Sequence, residues 1–179
     1  MWIGLVGSEM CIRDSNNVID TIKCVAEKHY QINKVTTGDI WELDLDKNEK
    51  YPLLHITPST VTAEVNQLLF DFQLVLGDLV EPDGSNEQEV LSNCLSILLD
   101  LVSVFRRGKL LGLSSEVNSE YTQNRYITEL PYSFEPFTED IGNNLTGWIT
   151  TMRIIVEFDY NACADEIPID QSVAGGCIK

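Results

Sequence analysis

The chain alternates between two periods, and each change of period marks a predicted element. Residues 17–30, NVIDTIKCVAEKHY, place Val18, Ile19, Ile22, Val25 and Ala26 on one stripe, with Asp20, Lys23 and Glu27 opposite. That spacing predicts an amphipathic helix. After a turn at Asn33-Lys34, Trp41, Leu43 and Leu45 alternate with Glu42 and Asp44, the pattern of a half-exposed strand. A polar turn from Asp46 to Lys50 leads to a partner strand, YPLLHIT, which Pro58 is expected to stop. Residues 62–80 then read as one long strand. Phe70, Phe72, Leu74 and Leu76 lie on one side, and Asp71 and Gln73 on the other, joined by Val75. Pro82-Asp83-Gly84-Ser85 is a loop signal.

The strongest element follows. Val90, Leu91, Cys94, Leu95, Leu98, Leu101, Val102 and Phe105 form an unbroken helical stripe, with Ser85 and Gln88 in capping-box positions. Arg106, Arg107 and Lys109 suit the negative end of the helix dipole, and Gly108 is a stop. Residues 112–124 read as a polar loop. NRYITELPYSFEPF is strand-like, interrupted by Pro131 and Pro136, and a turn spans Glu139 to Asn144. In the last strand Trp148, Met152, Ile154, Val156 and Phe158 alternate with Thr151, Arg153 and Glu157, and Ile155 breaks the polar side. The sum is an α+β fold, two helices packed on one face of a mainly antiparallel sheet with a protruding hairpin.

Residues 1–15 follow neither period. Back-translated, Leu5 to Ser15 resemble the transposon end used in sequencing libraries. They are therefore read as a non-native, adapter-derived scar and set aside from the fold. The domain expected is 16–160, and 161–179 is expected to be a flexible tail.

Charge narrows the function. The chain has a formal net charge of -16. Residues 1–15 contribute -1 through Glu9, Asp14 and Arg13, leaving -15. Such a chain cannot neutralise phosphates over a broad surface, so sequence-specific nucleic-acid binding is not expected. No apolar run reaches the roughly 18 residues of a membrane span. Cys24 and Cys94 sit on helix faces and read as buried free thiols. Cys163 and Cys177, in the tail, lack metal-site spacing.

Motifs add little chemistry. Asp44-x-Asp46-x-Asn48 opens like a calcium loop, but Glu49 stands where glycine is needed and His55 where a bidentate glutamate is needed. His29 and His55 have no ligand spacing around them. Gly108 and Gly112 lack the Lys-Ser/Thr of a phosphate loop, and no nucleophile elbow is present. Glu139 and Asp140 read as solvated charge, and Asn144-Leu145-Thr146 matters only in a secreted chain. The reading is that the chain is not an enzyme and needs no cofactor or metal. An enzyme or small-ligand binder with a dispersed site is the alternative of another class.

Three stretches carry a resemblance: the helix Glu87–Arg107, the segment FEPFTEDIGNNLTGW (Phe134–Trp148) and the closing strand Thr151–Phe158. With them, residues 16–165 resemble the tail terminator (tail completion) proteins of tailed phages. The resemblance implies a virion protein of the tail or neck, assembled in the host cytoplasm. Its partners would be itself, usually as a hexameric ring, with the tail tube protein and the head–tail connector. DNA would pass through the lumen. A head-completion or other neck adaptor is the alternative within the class. The residues expected at assembly contacts are Asp46, Lys47, Asn48, Glu49 and Lys50 at the first turn, Asp78 and Asp83 at the strand end, and the basic group Arg106, Arg107 and Lys109. Opposite charges on two faces invite a head-to-tail contact.

Overall fold

A computed structural model describes residues 15–39, 50–106, 126–139 and 144–158. Its elements are α1 (Ser15–Glu27), β1 (Lys34–Thr37), β2 (Leu53–Glu64), β3 (Gln67–Leu79), α2 (Glu87–Arg106), β4 (Phe134–Glu139) and β5 (Leu145–Glu157). The five strands form one sheet in the order β1-β2-β3-β5-β4. β1 and β2 are parallel. Every other pair is antiparallel. This is the expected α+β class.

Alternation along the strands sorts two faces. On one, Leu54 lies level with Leu76, Ile56 with Leu74, Phe72 with Met152 and Phe70 with Ile154. These residues join Val18, Ile22 and Ala26 of α1 and Val90, Cys94, Ile97, Leu98, Leu101 and Phe105 of α2 in a single core. Both helices therefore cover the same face. The helical spacing of their apolar stripes is what lets each lie flat on the pleated surface. The opposite face carries Leu53, Leu69, Val75, Leu145 and Ile155, all buried, with the polar residues His55 and Asp71 among them.

Several expectations change. The neighbour of β2 on its outer side is the short strand Lys34–Thr37, not a strand at 41–45, which lies outside the described residues. Parallel strands cannot be joined by a tight turn, and residues 38–52 supply the long connection such a pair requires. The sequence signal at Val35-Thr36-Thr37 is too short to announce a strand. Pro58 does not stop β2. The strand continues to Glu64, and the register shifts between Pro58 and Val61, where two residues face one on β3. A bulge is where an edge strand can hold a proline. The long strand expected over 62–80 is two strands joined at Val65-Asn66. Asn66 has φ 63°, the left-handed region that asparagine tolerates in turns.

At its C-terminal end α1 tightens. The Lys28 and His29 amides bond to the carbonyls of Val25 and Ala26, three residues back, and Tyr30 is fully exposed beyond the helix. At the start of α2, Asn86 rather than Ser85 occupies the capping position, since its carbonyl accepts the Val90 amide. The Asn86 side chain reaches back to the Glu81 amide at 2.8 Å. α2 itself is long and apolar enough to pass as a membrane span, which the sequence reading did not anticipate. Val90, Cys94, Ile97, Leu98, Leu101, Val102 and Phe105 are buried in the fold, whereas Leu91 and Leu95 of the expected stripe are half-buried and Leu99 is exposed.

Candidate assembly surface

Of the positions singled out from sequence, Lys50, Asp78, Asp83 and Arg106 are among the described residues. Asp78 is the next-to-last residue of β3, level with Thr146, and Asp83 lies in the loop that leads into α2. Lys50 is exposed just before β2, whose first residue, Leu53, is level with Gly77. These three mark one end of the sheet. Arg106 is the last residue of α2 and is exposed. At 1.5 Å per residue, the 20 residues of α2 separate Arg106 from the Asp83 loop by about 30 Å. Asp46, Lys47, Asn48, Glu49, Arg107 and Lys109 lie outside the described residues. The first turn of α2 adds Glu87 and Glu89 to the acidic end. One element thus displays acidic charge at its start and positive charge at its finish.

The two aspartates differ in environment. Asp83 accepts the Ser85 amide at 3.1 Å, an Asx turn that shapes the loop. Hydrogen bonds from the Ser85 hydroxyl and amide hold its carboxyl below the usual range. Asp78 is partly withdrawn from water, and burial raises its pKa against a bond from the Leu79 amide at 2.8 Å. Its charge also bears on Cys94. Burial first, and Asp78 second, push that thiol up to about 12. Cys94 is therefore a core side chain and an inert thiol. Cys24, expected to be buried, is only half-buried.

The described parts of α2, of the segment from Phe134 to Trp148 and of the closing strand lie together. Phe134–Glu139 and Leu145 onward pair as the β4–β5 hairpin. Trp148 lies on the helix face and donates its indole Nε1 hydrogen to the Leu91 carbonyl at 2.8 Å, tying β5 to α2. Behind it, Gly147 faces Gly77 across β5 and β3. A Cβ on Gly147 would lie 1.9 Å from the Leu76 oxygen. The backbones approach so closely there that only glycine fits.

Two polar sites were not singled out from sequence. Asp71 and Arg153 stand opposite each other on β3 and β5. Arg153 donates to both carboxylate oxygens at 2.7 and 2.8 Å, and Thr60 adds a bond at 3.3 Å. The Arg153 hydrogen bonds lower the Asp71 pKa, outweighing its burial. Alternation had marked both residues as polar, but only the register makes them partners. The other site is the outer half of β2, exposed at every residue from Pro58 to Glu64. Of the two histidines, His29 meets Asp100 at 3.4 Å, joining the end of α1 to α2. His55 is buried, with Nδ1 2.8 Å from the Thr36 hydroxyl. Among the described residues no three His, Cys, Asp or Glu side chains cluster as a metal site would.

No protein-family model matches this chain, and no curated protein matches it.

Proposed function

We propose that this protein is a structural component of a phage virion, a tail terminator that caps the tail tube as a ring and joins it to the head. The observation that carries the reading is the coupling of the resembling stretches. α2 is tied to β5 by the Trp148–Leu91 bond, and β5 in turn pairs with β4 and runs on as the closing strand. A second support is the separation of charge along α2, acidic at Glu87 and Glu89 and basic at Arg106. Such a subunit is complementary to a copy of itself placed head to tail, and a heterologous contact of that kind closes into a ring when the rotation allows. A net charge of -16 suits a lumen through which DNA must slide without sticking.

The ring is tested in solution. Native mass spectrometry and light scattering on the chain should give one discrete mass of several subunits. The double change Arg106→Glu and Arg107→Glu should reduce it to smaller species while circular dichroism stays unchanged. A chain that remains monomeric at all concentrations, and does not bind the end of a tail tube, overturns the proposal.

A further inference from the structure

We infer that the outer edge of β2 is a self-association site, where two copies of this chain pair their β2 strands antiparallel about a two-fold axis. The inference starts from the outer half of β2, which is regular strand yet exposed throughout. β1 accompanies β2 only from Leu53 to Ile56, and the Gly38 amide makes the last bond of that side, to the Ile56 carbonyl. β2 then runs on to Glu64, and from Pro58 every residue is exposed. Among the described residues nothing pairs with this outer edge. A strand fixed on one side only leaves a row of amides and carbonyls ready to template another strand. Val61 and, at the turn, Val65 are among the most exposed apolar side chains of the described residues, at 58% and 87%.

Charge selects the occupant. From Thr57 to Ala63 the edge has no charged residue, in a chain with 28 acidic and 12 basic side chains. A cationic partner finds no carboxylate along those residues to pair with. A second copy, repelled elsewhere by its own net charge, meets a carboxylate there only at Glu64, and antiparallel pairing holds the two copies of Glu64 at opposite ends of the contact. The other open edges do not share this property. β4 exposes Glu135 and has no amide at Pro136, and the outer half of β5 exposes Arg153 and is bridged by Ile127 at Ile155. The bulge between Pro58 and Val61 leaves Val61–Glu64 as the regular stretch. Antiparallel pairing there sets Thr62 opposite Ala63 of the second copy and Val61 opposite its Glu64. The contact is isologous, so it is distinct from the head-to-tail contact of a ring and requires neither a ring nor a tail tube.

The experiment uses the full chain. Sedimentation equilibrium across a concentration series should show 20.2 kDa subunits entering a species of twice that mass. If a ring also forms, the test is made in the Arg106→Glu, Arg107→Glu background. The pair Thr62→Lys and Ala63→Lys should abolish that species, although each lysine reduces the net negative charge and so weakens general repulsion. Val65→Lys adds one such charge outside the paired stretch and should leave it intact. A mixture of Thr62→Cys and Ala63→Cys chains should form a disulfide between the two variants, above the background of the unmodified chain. The inference is overturned by a background chain that stays monomeric, by a two-fold species that survives the two lysines, or by equal loss with Val65→Lys. Unchanged melting curves for the lysine variants exclude unfolding as the cause.

Discussion

At the scale of single residues, the Asp71–Arg153 pair is the clearest case of a side chain whose value depends on its neighbour. Asp71 is 8% exposed, so its charge is tolerable only because two guanidinium hydrogens meet it. Arg153→Met removes those bonds and keeps the aliphatic stem. It should cost roughly 1–3 kcal/mol, the penalty for leaving a buried acceptor unsatisfied, read as a lower urea midpoint. The sign with pH follows. The folded pKa of Asp71 lies below the ordinary 3.8, so its contribution is fully present above that value and is lost as pH falls through the folded pKa. The wild type should lose melting temperature below about pH 4 more steeply than Arg153→Met. Asp78 runs the other way. Its raised pKa means that the folded state disfavours the charge, so Asp78→Asn should raise the melting temperature at pH 7 and change little at pH 3. Gly147→Ala should be severe. A methyl 1.9 Å from the Leu76 oxygen forces β3 and β5 apart, with a loss at or above the roughly 1–3 kcal/mol of an overpacked core.

At the scale of elements, what the sequence could announce depended on the kind of signal each element carries. α2 was legible from Val90 to Phe105 because a helix writes its buried face into a period of its own residues. β5 was legible for the same reason at period two. The break at Val65-Asn66 was not legible, since neither residue is the glycine or proline that marks most turns, and only the φ of Asn66 betrays it. Pro58 misled because it reads as a breaker, whereas at an edge its missing amide deprives no neighbour. The exposed ends Asp83 and Arg106 of the candidate surface were legible as charges in loop and helix-end positions. The open β2 edge was invisible, because an edge is defined by which strand is missing beside it and not by any pattern within the strand. The link between α2 and β5 gives a direct check. Trp148→Phe keeps the ring in place but drops the Leu91 bond, and should cost about 0.5–1.5 kcal/mol in thermal unfolding. Cys94 should resist alkylation at pH 8 until the protein unfolds, since burial holds its thiol up to about 12.

At the scale of the whole molecule, the two helices on one face make the subunit two-sided, and the strand lengths make it uneven along the other axis. β1 and β4 flank only the end of the sheet near Leu53 and Leu145, while β2, β3 and β5 continue toward Glu64, Gln67 and Glu157, where the one further pairing among the described residues is the Ile127–Ile155 bridge. Among the described strands β3 alone is paired along both sides for nearly its whole length, with β2 on one side and β5 on the other. That placement sets an order of opening. Amides of Phe70 to Leu76 can reach solvent only when the sheet itself comes apart, whereas those of Val61 to Glu64 need only the release of one edge strand. In deuterium the chain should therefore label from its margins inward, and the central strand should keep its protons for as long as the fold exists.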